Sequence, residues 1–124
     1  MENTKKTSKF AQAAENAMIL SRLMKGRNKL ETEDIIGEEL TIDEFDVVVL
    51  DGKNFGVCHF IEKPDSYYNA GTVLTKIFME WADMYGHDIE AASNDLAREG
   101  GVRIRLTPTK TRKGNNLTNV SIML

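Results

Sequence analysis

Apolar positions along the chain follow two periods in turn, and each switch marks a change of element. In "SKFAQAAENAMILSRLMK" (residues 8–25), Phe10, Ala14, Ala17, Met18, Ser21 and Met24 recur at spacings of three and four. That is one face of a helix, with Ser8 as the expected N-cap and Gly26 as the stop. It reads as a packing helix, with a dimerisation element as the alternative. Residues 27–40 are polar and acidic and read as a connector with a short element around Asp34–Gly37.

The period then becomes two. Phe45–Leu50 and Phe55–Ile61 are β-rich runs separated by "DGKN", a hairpin signal. Phe45, Val47 and Val49 fall on one side of the first run, and Asp46, Val48 and Leu50 on the other. Pro64 ends the second run. "SYYNAG" follows as a short strand or extended loop. In "TVLTKIFMEWADMY" (residues 72–85), Val73, Leu74, Ile77, Phe78, Trp81 and Tyr85 form a broad apolar stripe, with Thr72 as the expected cap. After Gly86 a second helix starts at the cap Asp88, buries Ile89, Ala92 and Leu96, and stops at Gly100. Strand alternation returns in Val102, Ile104 and Leu106, which interleave with Arg103, Arg105 and Thr107. It resumes in Leu117–Leu124, where Val120, Ile122 and Leu124 share a face.

Past the first helix the order is β-β-β-α-β-β. That is the order of the oligonucleotide-binding (OB) fold, a five-stranded barrel with a helix between its third and fourth strands. The expected class is therefore mainly β within α+β, an OB-fold-like five-stranded barrel plus an N-terminal helix. Residues 1–40 form the N-terminal helix and connector, and residues 41–124 the OB-fold-like domain, as one domain overall.

Composition changes this picture little: 124 residues, 41% hydrophobic and 28% charged, suit a domain with its own core. One cysteine, Cys58, excludes an internal disulfide and fits a reducing compartment. The N-terminal stretch "MENTKKTSKFAQAAENAMIL" is neither a signal peptide nor a membrane span, so the expected location is cytoplasmic, with no membrane partner.

Charge changes it more. The net charge of −3 divides into +5 over residues 1–30, −13 over residues 31–100 and +5 over residues 101–124. The last segment holds Arg103, Arg105, Lys110, Arg112 and Lys113 and no Asp or Glu. Local potential of this kind selects partners better than net charge does.

Enzyme chemistry finds little footing. Cys58 and His59 are adjacent in a strand, so they point to opposite faces and do not pair as nucleophile and base. A buried Cys58 beside a surface His59 is the expected arrangement. His87 has no second His or Cys near it, and Asp88 is explained as a helix cap. No phosphate-binding glycine loop or nucleophile elbow is present. The expectation is a non-enzyme with no metal and no small-molecule cofactor.

Binding has more support. Single-stranded nucleic acid is held by cations that track phosphates and rings that stack on bases. Arg103 and Arg105 sit two residues apart on one strand face, roughly 7 Å, and point outward because Val102, Ile104 and Leu106 turn inward. Lys110, Arg112, Lys113 and Asn116 belong to the loop and its end. Lys53, Phe55, Phe60, Tyr67 and Tyr68 complete the candidate set, with core packing as the alternative for each ring. Phe55 and Phe60 differ by an odd number of residues, so a regular strand sends only one of them to a groove.

The segment from Ala70 to Leu124 resembles the distal half of small single-stranded-DNA-binding-like OB-fold proteins of phages and mobile elements of Gram-positive bacteria. The carriers are Gly71 before a helix containing Trp81, then Gly100–Gly101, "VRIRL" and a basic loop reaching "KGNN". The likeness extends over roughly residues 41–124. It implies a replication-type role, a single-stranded DNA partner with little sequence preference, and a groove lined by the last two strands and their loop. Carried over, that groove comprises Arg103, Arg105, Lys110, Arg112, Lys113 and Asn116. The general bacterial single-strand binder recruits partners through an acidic tail with an aromatic tip; with "SIML" inside or just after the last strand, no such recruitment is expected here. A homo-oligomer is a further expectation. The alternative is a regulatory module that self-associates or docks an acidic partner surface through the same hairpin.

Overall fold

A computed structural model describes residues 9–10, 21–110, 112–114 and 116–123. The helix expected over residues 8–25 falls largely outside that range. Within it, Lys9 and Phe10 are helical, and Ser21–Gly26 form a bend and turns. Leu124 also lies outside the described residues.

Six strands form one sheet: β1 (Asn28–Leu30), β2 (Glu39–Leu50), β3 (Lys53–Phe60), β4 (Ser66–Asn69), β5 (Val102–Lys110) and β6 (Asn116–Met123). Within residues 21–123 the described helices are α1 (Thr32–Ile35), α2 (Thr72–Asp83) and α3 (Ile89–Arg98). The sheet order is β1-β4-β3-β2-β5-β6, with β1 parallel to β4 and every other pair antiparallel. The chain is mainly β within α+β, as expected. Two finer expectations are corrected. Among the described residues there are six strands rather than five, and two helices stand between β4 and β5. The extra strand, β1, arises inside the segment read as a connector. It takes the free edge of β4, so the sheet curls as a half-barrel and stays open between β1 and β6.

The inner face of the sheet carries the core. Leu40, Ile42, Phe45, Cys58, Phe60, Ile104 and Leu106 are buried there with Leu74 and Phe78 of α2 and Ala92 of α3. Phe45 stacks against Phe78 at 5.1 Å and meets Trp81 edge-on at 5.4 Å, which fastens α2 to β2. Gly56 lets that helix approach. A Cβ there would lie 2.8 Å from both Phe78 Cδ2 and Thr75 Oγ1. Thr75 Oγ1 instead accepts from the Gly56 amide at 3.0 Å.

A bulge between Ile42 and Glu44 interrupts the β2–β3 register. It bends β2, so that the first half of the strand pairs with β5 and the second with β3. The amide of Phe45, next to the bulge, donates to Ser93 Oγ of α3 at 3.0 Å, and Ser93 is fully buried. The helix thus satisfies a backbone group at the irregularity of the strand.

The helix ends follow the sequence with one change. Asp88 caps α3, accepting from the Ala91 amide at 3.1 Å. Gly71, not Thr72, is the residue at the N-cap of α2, and it brings no side-chain acceptor. The segment before β1 lies on the outer face of β2. Leu23 is 1% exposed, the Ser21 hydroxyl donates to Asp46 at 2.7 Å, and Arg22 pairs with Glu44 at 3.2 Å. The turn after α1 is tied to β5 by the Gly37 amide, which donates to the Leu106 carbonyl at 2.7 Å. Residues 28–40 therefore belong to the same sheet and core as the rest.

Candidate nucleic-acid interface

Strand β5 sorts its side chains as the alternation demands. Ile104 and Leu106 are buried, and Arg103 and Arg105 stand on the opposite, outer face. Their cross-strand partners in β2 are Thr41 and Glu39. Glu39 therefore faces both arginines. Its carboxylate lies 2.6 Å from Arg105 Nη2 and 3.8 Å from Arg103 Nη1, with the arginine side chains 41% and 60% exposed. Opposite charges facing each other across neighbouring strands are the ordinary stabilising arrangement. Here they also cancel part of the positive potential of the outer face.

A second carboxylate stands close by. The Thr41 amide and hydroxyl both donate to Glu62 at 2.7 Å. Partial burial pushes the Glu62 carboxyl up, but the bonds from Thr41, helped by the charge of Arg103, outweigh it and hold the group below its ordinary range. Neither Glu39 nor Glu62 is visible in the sequence as part of this site. Glu39 and Arg105 are 66 residues apart, and only strand pairing brings them together.

The basic loop continues from the same hairpin. Lys110 ends β5, and Arg112 and Lys113 are exposed at the turn. Asn116 starts β6 opposite Lys110, and its side chain lies outside the described residues. All five cations of the segment thus belong to one hairpin. Lys110 lies beyond the part of β5 that pairs with β2.

The aromatic candidates divide. Phe55 is 45% exposed on the outer face of β3, and Tyr67 is half-buried in β4. Lys53 is exposed at the start of β3. Phe60 and Tyr68 are corrected as stacking residues. Phe60 is fully buried, Tyr68 is 4% exposed, and their rings pack at 6.0 Å. Both occupy inner-face positions of their strands, and the Tyr68 hydroxyl is bonded to Thr32 Oγ1 at 2.8 Å. Burial pushes the Tyr68 phenol up, with the Thr32 bond acting against it. Phe55 pairs with Val48 and Arg105 with Glu39, nine residues apart on β2, or roughly 30 Å of extended strand. Phe55 and the arginines therefore do not share one pocket. Glu44 and Asp46 lie between them on β2.

The adjacent pair Cys58–His59 does point to opposite faces, but the surface placement of His59 is corrected. His59 is 6% exposed. Its Nδ1 lies 2.7 Å from Asp43 Oδ1 and its Nε2 3.1 Å from the Pro64 carbonyl. The bulge places Asp43 where it covers the outer face of β3. Potential ligand atoms of Asp43, Glu44 and His59 lie within 4.8 Å of one another. Both ring nitrogens already have protein partners, however, and Glu44 is paired with Arg22. The cluster is accounted for as a latch between β2, β3 and the Pro64 turn. Cys58 is fully buried, and burial, reinforced by the charge of Asp43, pushes its thiol far above the ordinary range. His87 is exposed and pairs with Asp83 at 2.9 Å. Among the described residues, no helix is long and apolar enough to cross a membrane.

A comparison with protein-family models, with curated proteins and with solved structures found no match.

Proposed function

We propose that the protein binds single-stranded DNA with little sequence preference, through the outer face of the β5–β6 hairpin and its basic loop. The observation that carries this reading is the placement of Arg103, Arg105, Lys110, Arg112 and Lys113 on one hairpin that contains no acidic residue. Cations held on a strand and at a turn track a phosphate chain without reading bases. Strand order lends support. With β1 set aside, β2, β3, β4, β5 and β6 follow the element order of an OB barrel left open. The face and loops used by OB folds correspond to β3 and β4 with the turns Asp51–Gly52 and 112–114. Phe55 and Tyr67 lie on that face and serve as its stacking rings. Phe60 and Tyr68 serve the core. In this reading the protein is a binding module, not an enzyme, and uses no cofactor.

Fluorescence anisotropy of a labelled oligo-dT at low salt tests the proposal. Replacing Arg103, Arg105 and Lys113 together by alanine should flatten the salt dependence by about 0.7 in log–log slope for each phosphate no longer held. Absence of binding at tens of micromolar protein would overturn the reading. A second reading, a self-associating interaction module, draws on the Glu39 carboxylate that already occupies both strand arginines.

A further inference from the structure

The two edges of the sheet differ sharply. The β1 edge is three residues long and carries Lys29. The β6 edge spans eight residues, "NLTNVSIM", or about 27 Å of strand. Among the described residues nothing pairs with its outer side. It contains no charge and no proline, two of the usual devices that keep an exposed edge from pairing. Leu117 and Ile122 on this strand are 37% and 41% exposed.

We infer that β6 pairs antiparallel with β6 of a second copy, joining two six-stranded sheets into one. Two observations favour a second copy over an unrelated strand, and a third favours the β6 edge over the β1 edge. A two-fold axis through the middle of the strand sets the residue on the axis opposite itself and pairs every other residue with the one equally far on the other side, so a charge at the centre would meet itself. β6 meets this condition because all eight of its residues are neutral. An unrelated charged strand finds no complement on the edge. Finally, β6 is long enough to supply a full ladder, whereas β1 is not.

The geometry has a direct consequence for the outer face. An axis perpendicular to the sheet keeps like faces on the same side. The two β5 strands then run about 14 Å apart, three strand spacings. Arg103 and Arg105 of both copies lie on one continuous surface, with the two basic loops at its opposite ends. A single strand edge buries less than the ~1,200 Å² of a standard interface, so the dimer dissociates on dilution. The pairing does not depend on DNA binding, and its test uses the full chain without nucleic acid.

Sedimentation equilibrium, run from about 1 to 300 µM as a small interface requires, should show a reversible shift from the 13.9 kDa chain toward twice that mass. Asn119 is exposed at the middle of the strand. Asn119→Lys and Asn119→Glu should each be monomeric over the range, because either places like charges across the axis. Mixing the two variants should restore the dimer. Circular dichroism checks that each variant is folded, and the mixing experiment needs only one partner of each charge. A wild-type chain that stays monomeric throughout overturns the inference. So do single variants that dimerise as the wild type does, and a mixture of folded variants that fails to associate.

Discussion

Glu39→Gln isolates the electrostatic part of the proposed interface. The carboxylate neutralises one of the two strand arginines. The hairpin therefore presents a net of four positive charges to a phosphate chain, and the variant presents five. At about 0.7 per phosphate held, the log–log salt slope should steepen from about −2.8 to about −3.5. Between about 50 and 200 mM salt, that corresponds to a loss of affinity of roughly 50-fold for the wild type and roughly 130-fold for the variant. A phosphate seated on Arg105 lies on the order of 6 Å from the Glu39 carboxylate. In water the repulsion between them is about 0.7 kcal/mol, so the variant should bind roughly threefold more tightly at low salt. The assay is anisotropy of labelled oligo-dT over a salt series, with urea denaturation as a control. The ion pair removed is half-exposed, and its removal should change stability by only ~0.2–1 kcal/mol. If the wild type binds but Glu39→Gln leaves slope and affinity unchanged with the fold intact, Arg103 and Arg105 are not phosphate ligands.

Two further outcomes concern the fold that carries the site. Ser93→Ala removes the acceptor of the buried Phe45 amide and should cost about 1–3 kcal/mol in urea denaturation; a change under a few tenths would show that the bulge does not rely on α3. Glu62 is held below its ordinary value of 4.5, so its contribution to stability is present above that pH and fades as pH falls through the folded-state value. Thermal melts of Glu62→Gln should therefore lose less stability than the wild type on acidification below about pH 4.5, and parallel curves would contradict the role given to Thr41.

Local pattern makes the two hairpins and the two long helices legible, because each carries its own period. Asp88 and Gly100 act at the ends of α3 as their residue types suggest. Gly100 adopts φ +95°, which suits a residue without a Cβ. The inward turn of Ile104 and Leu106, and hence the outward turn of the arginines, also follows from alternation. What escapes is non-local. β1 is three residues long and is a strand only because β4 offers it an edge. The first half of β2 is hidden because the bulge shifts the phase between Ile42 and Phe45, so no single alternation spans the strand. Phe60 and Tyr68 are candidates in the sequence because an aromatic residue in a strand looks the same from either face. His59 looks like a surface residue because its partner Asp43 comes from another strand. Glu39 escapes for the same reason, which makes the basic hairpin look freer than it is.

The bulge also determines where β2 can change length. Leu40 and Ile42 face the core before it, and Phe45 and Val47 after it, Phe45 standing three positions beyond Ile42. Deleting or inserting one residue at 43–44 leaves an even spacing, and both halves keep their apolar sides inward as a straight strand. The same change anywhere between residues 45 and 50 would turn the part of the strand beyond it inside out. A one-residue deletion at Asp43 would preserve the core pattern while removing the partner of His59 and the bend that lets β2 pair with both β3 and β5. Chain length in this strand is therefore adjustable at one place only, and the adjustment there alters the shape of the sheet more than its interior.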